Sequence, residues 1–517
     1  MKLVSTEQMR AVDGRAINDL KIPSLELMEN AGRGIFDYID ENILPFIENP
    51  KIAVVCGRGN NGGDGFVVGR YLLEKGHSVA FYLSGSDDKL SDDCRVNYDK
   101  VKAMKIDVVQ IISVDALPDL SEYDLIIDAI FGTGFSGAPR GITADFISRI
   151  NDADTTVVAV DAPSGMDVST GQAEGEAVLA DYTTTLALPK PGLFVSPGRE
   201  FAGITAVIPI GIPNEVEEYF DIKTNLITGE MASEILLYPP ADAHKGDMGK
   251  VFIVGGSTGL TGAITLAGLA AARSGAGLTT VGVPASLNPV IETKLTEVMS
   301  APLPEIKKKA ALALRARGEI RRWFAGRDAI GIGPGIGRHH ETIELVQRLI
   351  ADLEVPAVID ADGLYAVAQN TECLKDKKVP LVLTPHPGEF ERLTGIKPDD
   401  NPINNFDLVL RTAKDLNCVI ILKGSPTIIG SPGGEVYLNP TGNWGMASGG
   451  SGDVLTGIIT AFLGQGLTAI EAAITGVYIH GLAGDIAIGD IHPRSLIPCD
   501  VIDYLSDAFE MLDEAED

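Results

Sequence analysis

The run Asn443-Trp444-Gly445-Met446-Ala447-Ser448-Gly449-Gly450-Ser451-Gly452-Asp453 leads straight into an apolar segment, residues 454–459, that predicts the start of a helix. Glycines let a backbone curl until several N–H groups face one anion, and a helix N-terminus adds partial positive charge there. Asp453 does not belong in a simple phosphate grip, because a carboxylate repels phosphate. It has a purpose if it works on a neighbouring group, as a base or through a metal. The combination predicts transfer of phosphate onto or off a hydroxyl. The plainer alternative is an N-cap aspartate behind flexible glycines.

Further glycine-rich strand ends lie around this loop in the C-terminal half. Lys250-Val251-Phe252-Ile253-Val254-Gly255-Gly256-Ser257 precedes a small-residue helix at 262–273, and Ile330-Gly331-Ile332-Gly333-Pro334-Gly335-Ile336-Gly337 is a second nest. Thr384-Pro385-His386-Pro387-Gly388-Glu389 and Leu422-Lys423-Gly424-Ser425-Pro426-Thr427 also follow strands. His386 and Lys423 therefore stand where a sheet presents its ligands. Taken singly, they also read as a satisfied loop histidine and a surface charge.

The N-terminal half has its own constellation. Cys56-Gly57-Arg58-Gly59-Asn60-Asn61-Gly62-Gly63-Asp64-Gly65 follows a strand and opens a helix, the position of a dinucleotide grip. Asp64 would crowd a pyrophosphate, and the next strand ends in Phe81-Tyr82-Leu83-Ser84 without an acidic ribose anchor, so plain hydride transfer is disfavoured. Asp128-Ala129-Ile130-Phe131-Gly132-Thr133-Gly134 and Asp161-Ala162-Pro163-Ser164-Gly165-Met166-Asp167 end two more strands. Ligands of an open parallel sheet bind outside the carboxyl ends of its strands. Asn61, Asp128 and Ser164 can converge there as hard oxygen ligands for a monovalent cation, with Asp161 facing a substrate. Singly, each aspartate also reads as a turn or cap residue.

The elements that must position these residues alternate. Segments 51–56, 77–83, 108–112, 124–129, 156–160 and 181–187 read as buried strands, with helical patterns at 65–75, 93–104 and 144–151 and a helical stretch at 7–48. The pattern breaks between 211 and 240, then resumes with strands at 250–254, 329–332, 356–360, 379–384 and 418–423. We therefore expect two α/β domains, 1–222 and 223–517, each built on a mostly parallel, doubly wound sheet. At 517 residues the chain is long enough for two cores. A net charge of −29 argues against nucleic acid. The absence of an apolar run of about 20 residues argues against a membrane span. Five scattered cysteines without a Cys-x-x-Cys pair fit reduced thiols and a cytoplasmic location.

The N-terminal motifs as a set, with Leu27-Met28-Glu29-Asn30-Ala31-Gly32 and Leu188-Pro189-Lys190-Pro191-Gly192, closely resemble the NAD(P)H-hydrate epimerase family, whose fold is a Rossmann-like three-layer sandwich. The resemblance implies that Asn60, Asn61, Gly62, Gly63 and Asp64, with Gly132, Thr133, Gly134, Phe135, Ser136, Gly137 and Ala138, bind the hydrated nicotinamide nucleotide. It implies potassium on Asn61, Asp128 and Ser164, and Asp161 at the reacting ring. Asp161 or Lys190 is the expected proton-transfer group, on position alone.

The C-terminal half resembles the ribokinase-like ADP-dependent NAD(P)H-hydrate dehydratases, through Ala243-His244-Lys245-Gly246, Ile359-Asp360-Ala361-Asp362, Thr384-Pro385-His386-Pro387-Gly388-Glu389, Lys423-Gly424 and Gly449-Gly450-Ser451-Gly452-Asp453. This implies ADP as phosphate donor with magnesium on its phosphates, and Asp453 as the base. Ala263, Gly335, His386, Lys423, Gly424, Ser425, Pro426, Thr427 and Gly452 are then the binding positions. The order matches fused bifunctional repair enzymes, and the resemblance favours a homo-oligomer. A vitamin or small-alcohol kinase with ATP as donor, and a nucleotide-sensing protein without turnover, are the competing readings.

Overall fold

The computed structural model describes residues 1–236 and 238–514 and divides into two compact units, Lys2–Ile222 and the chain from Lys223 onward together with Met1. In the first, seven parallel strands are β1 (Lys51–Cys56), β2 (Ser78–Ser84), β3 (Val108–Ile111), β4 (Leu125–Ala129), β5 (Thr156–Val160), β6 (Tyr182–Leu186) and β7 (Ile204–Ile208). Their order is β3-β2-β1-β4-β5-β6-β7. Strand alternation sorts the core into two layers. Ile52, Val54 and Cys56 pack with Phe66, Leu72 and Ile35 on one face, and Ala53 and Val55 pack with Phe146, Ile147 and Ile150 on the other. This is a three-layer α/β sandwich, doubly wound as expected.

The second unit holds β8 (Thr224–Leu226), β9 (Lys250–Val254), β10 (Leu278–Pro284), β11 (Met299–Leu303), β12 (Ala329–Ile332), β13 (Ala357–Ile359), β14 (Leu381–Leu383), β15 (Val419–Leu422), β16 (Thr427–Gly430) and β17 (Val436–Asn439). They form one sheet in the order β11-β10-β9-β12-β13-β14-β15-β16-β17-β8, parallel except where β16 pairs with β15 and β17. Helices Thr261–Arg273 and Ser451–Gly464 cover one face through Ile264, Ala267, Val454 and Ile458. Phe252 faces the other side, stacked on Trp323 at 5.7 Å. The two covering helices touch closely: a Cβ on Gly457 would lie 2.2 Å from the Ala267 carbonyl oxygen.

Several strands escape a pattern reading. In β10, Gly282 packs against the Phe252 ring and the strand ends on Pro284, so its apolar run is broken by two residues that discourage strands. β7 is a half-exposed edge strand, and β8 spans three residues. Helix Asn60–Lys75 starts five residues earlier than the expected 65, so the paired asparagines and glycines form its first turn. There a Cβ on Gly62 would sit 1.9 Å from the Gly57 carbonyl oxygen, and one on Gly57 would sit 2.0 Å from that of Ile130. These neighbours are backbone and cannot swing aside. Gly62→Ala should lower the stability of this unit by at least the ~1–3 kcal/mol of an overpacked core, read as an earlier thermal transition.

Candidate active sites

Strand order reverses between β1 and β4 in the first unit, so the loops that follow them part and leave a crevice at their carboxyl ends. A cavity of about 700 Å³ opens there, lined by Asn60, Asn61, Asp64, Gly132, Thr133, Gly134, Phe135, Asp161 and Lys190. Gly62, Gly63, Ser136, Gly137 and Ala138 are not on its wall. Gly62 and Gly63 instead let the helix seat against Gly57 and Met28. The first helix, Thr6–Asn18, contributes Thr6, Met9, Arg10 and Asp13, and Arg58 comes from the loop after β1. Sequence reasoning missed these residues, because nothing in a helical pattern marks which turn will face a cleft formed 50 residues later.

Asp161 has φ +64, the left-handed region, at the end of β5. Such backbone costs on the order of 1–3 kcal/mol and is held by its surroundings. Its Oδ2 accepts from the Thr133 N–H at 2.7 Å and the Thr133 hydroxyl at 2.6 Å, and its Oδ1 accepts from Lys190 Nζ at 2.9 Å. Lys190 is 1 % exposed, and its remaining protons go to Thr185 Oγ1 and the Leu186 carbonyl. Burial pushes Asp161 up, but Lys190 and Thr133 more than offset it and hold the carboxyl below its ordinary range. The pair is a fixed negative–positive dipole in the cavity wall.

Nearby, Asp128 is fully buried and accepts from the Ser164 N–H and hydroxyl at 2.8 and 2.6 Å, while Ser164 Oγ accepts from the Phe131 N–H at 2.8 Å. Burial lifts Asp128 to about 6 despite these bonds. Among the described residues, both side-chain amide atoms of Asn61 are buried without a hydrogen-bond partner. Its Oδ1 lies 2.9 Å, and Asp161 Oδ2 2.6 Å, from the place a Cβ on Gly132 would occupy, so Gly132 leaves the room in which they meet.

In the second unit the strand order reverses between β9 and β12. Gly335, at φ +60, brings its backbone against Leu260 and Ala263 there, with the Gly335 carbonyl accepting from Ser257 Oγ at 2.8 Å. A separate cavity of about 660 Å³ is lined by His386, Lys423, Gly424, Ser425, Thr427, Gly452 and the segment from Gly442 to Ser448. Ala263, Gly335, Pro426 and Asp453 are not on its wall.

Gly450, at φ +109, is the N-cap of helix Ser451–Gly464 and has no side chain to cap it. The helix thus begins three residues before the expected 454, and Asp453 is its third residue rather than its N-cap. The first N–H groups of such a helix have no intrahelical acceptor and face an incoming anion. Burial lifts Asp453 to about 7, with Asp360 raising it further and Lys423 pulling it down. Asp360, 1 % exposed, accepts from Lys423 Nζ, Thr384 Oγ1 and Thr456 Oγ1 at 2.8, 2.7 and 2.8 Å. Lys423, its side chain 21 % exposed, is therefore a partly buried, paired cation and not a free surface charge. Burial would lower it, but Asp360 and Glu389 hold it above its usual value.

His386 is the N-cap of helix Pro387–Thr394 in a capping box with Glu389, and its ring is half exposed towards the cavity. His480 was also missed from sequence. It lies mid-helix in Ala469–Ala487, lines the cavity and meets Ser451 Oγ at 3.2 Å. Burial and Lys423 push it down to about 4, so it is neutral at pH 7.

Two doubly wound α/β units, each with an acid–lysine pair at its strand ends, define a two-site α/β enzyme. Residues 24–192 match the family model described as YjeF-related protein N-terminus, and 251–507 match that of NAD(P)H-hydrate dehydratase. The bifunctional NAD(P)H-hydrate repair enzyme Nnr of Moorella thermoacetica is 41% identical over 99% of this chain and 98% of its own length. That of Thermofilum pendens is 36% identical over 99% and 97%. The chain belongs to the bifunctional NAD(P)H-hydrate repair enzyme family. Among solved structures, an ADP/ATP-dependent NAD(P)H-hydrate dehydratase from Bacillus subtilis, co-crystallised with ATP/Mg2+, is 30% identical. It covers 56% of this chain and 98% of its own, with a TM-score of 0.49.

Proposed function

We propose that this protein repairs hydrated NADH and NADPH. Its first unit interconverts the R and S hydrates at ring carbon 6, and its second dehydrates the S form with ADP, giving NAD(P)H, AMP and phosphate. The observation that carries the second activity is Asp453, lifted to about 7 in the first turn of its helix, beside the open N-terminus.

Hydroxide leaves carbon poorly and phosphate leaves well. Asp453 takes the proton of the carbon-6 hydroxyl as its oxygen attacks the β-phosphorus of ADP, and AMP departs. The N–H groups of 449–452 and the Lys423 ammonium face the charge on the transferring group. Donors of this kind contribute about 2.7–4 kcal/mol each in comparable sites. The lone pair of the ring nitrogen then expels phosphate, and loss of a carbon-5 proton restores the 5,6 double bond. His386, Gly424, Ser425 and Thr427 hold the nucleotide, with Pro426 in the same loop, and Ala263 and Gly335, off this cavity's wall, are the remaining binding positions of the reading.

Magnesium fits this site, since Asp360, Asp362, Glu389 and Asp453 crowd carboxylates around one lysine. Asp362, Glu389 and Asp453 would hold it together with the nucleotide, and it would neutralise phosphate charge there. Potassium fits the first unit, since among the described residues the Asn61 amide is orphaned and buried Asp128 has no paired cation. Asn61, Asp128 and Ser164 would hold it, and it would supply a fixed positive charge for the substrate. In that cavity the Asp161–Lys190 pair sets its charge against the ring, and Arg10 and Arg58 offer positive charge to the phosphates.

Absorbance at 340 nm tests the reading with pure S hydrate, ADP and magnesium, then with the R epimer. Recovery of the reduced-nicotinamide band from both is expected. A stable phosphorylated product formed from ATP without that band would instead establish a kinase. The pH dependence follows from Asp453. Only its ionised form accepts the proton, so dehydratase kcat/KM should rise through about pH 7 and fall about tenfold per unit below it.

A further inference from the structure

We propose that Asp13 and Asp64 are the proton-transfer pair of the first unit, one giving a proton to the departing carbon-6 hydroxyl and the other taking one from the incoming water. This rests on the epimerase reading above and names the groups that perform it. Both residues line the cavity that holds Asp161 and Lys190, and they reach it from different elements, helices Thr6–Asn18 and Asn60–Lys75. Asp64 is 6 % exposed. Among the described residues, neither carboxyl has a hydrogen-bond partner.

The other ionisable pair in the cavity is poorly suited to move protons. All three Lys190 protons are engaged, and Asp161 accepts from Thr133 twice and from Lys190. A group locked into its charged form by its neighbours holds a charge, whereas an unpartnered one in the same cavity can change its state. Burial pushes Asp64 well above the carboxylate range, with Asp161, Asp13 and Asp93 raising it further. Burial lifts Asp13 to about 6, lowered by Lys190 and raised by Asp161. Arg10 and Arg58 are the other charged groups on the wall. Asp64, the more deeply buried of the two, is then the acid and Asp13 the base, two carboxyls set apart by their surroundings.

The substrate carbon carries both a hydroxyl and the ring nitrogen, and this decides the step. The Asp64 proton passes to the hydroxyl oxygen, the C6–O bond breaks, and the nitrogen lone pair forms N1=C6 as water leaves. The Asp161 carboxylate opposes the positive charge. Water adds to the other face of carbon 6, its oxygen pair forming the new C–O bond and returning the electrons to nitrogen, and its proton goes to Asp13. Nothing is oxidised or reduced. The reverse conversion uses the same two groups with their roles exchanged.

The test uses the full-length chain, with ADP and magnesium draining S hydrate so that R conversion is read at 340 nm. Asp13→Asn should lower kcat for the R epimer by about 10²–10⁴ with KM little changed, and leave turnover of pure S hydrate as it was. With the two epimers separated directly and no ADP present, so that the dehydratase does not limit the rate, wild-type R-to-S conversion should fall as pH drops through about 6, where Asp13 is protonated, and the variant should lose that limb. Asp13→Glu should recover part of the rate. Asp64→Asn should fall as far, with a melting curve reporting its folding. Full R conversion by Asp13→Asn, or an unchanged acid limb, overturns the proposal even if Asp64→Asn fails to fold. If wild type drains S hydrate but never R, the epimerase reading itself is at fault.

Discussion

Asp453→Asn should reduce dehydratase turnover by about 10²–10⁴, the usual worth of a positioned general base. The substitution keeps the size of the side chain and removes its ability to accept the hydroxyl proton. Asp453 is lifted to about 7 chiefly by burial, so an uncharged amide should be well tolerated by the fold. Single-turnover formation of AMP from ADP and S hydrate separates loss of chemistry from loss of binding. Near-normal AMP release in the variant would remove Asp453 from the mechanism. R-to-S conversion, measured by separating the two epimers without ADP, should be unaffected.

Asp161→Asn should lower epimerase turnover by about 10²–10³, the scale for loss of one electrostatic contact to a charged transition state. It also leaves Lys190 buried with its opposing charge gone, and breaking such a pair costs about 3–5 kcal/mol. A melting experiment should show the first unit destabilised. The double variant Asp161→Asn with Lys190→Met removes the stranded cation and should recover much of that stability without recovering activity. If the double variant also epimerises at the wild-type rate, the pair is structural only.

The parallel architecture was legible because buried strands such as Lys51–Cys56 and Lys250–Val254 are uninterrupted β-branched and apolar runs between glycine-rich turns. The glycine-rich segments around Asn61, Asp161, Lys423 and Asp453 were legible for a related reason, since glycine spacing at a strand end or helix start reports backbone shape directly. Residues whose role depends on tertiary placement were not. Asp13 and His480 sit in helices with ordinary neighbours, and only packing turns them towards a cavity. Asp360 was visible in Ile359-Asp360-Ala361-Asp362, yet its use as the acceptor that fixes Lys423, Thr384 and Thr456 needs three elements brought together. Gly62 was read as part of a ligand loop, whereas its lack of a side chain admits the Gly57 carbonyl.

Both units belong to one polypeptide, each with its own sheet and core. Every translation event therefore delivers the two catalysts in equal number, whatever the expression level. A cell that makes more of one cannot fall short of the other. Hydration of a planar ring from either face yields both configurations, and a fixed one-to-one dose means the capacity to invert the wrong one always scales with the capacity to drain the right one.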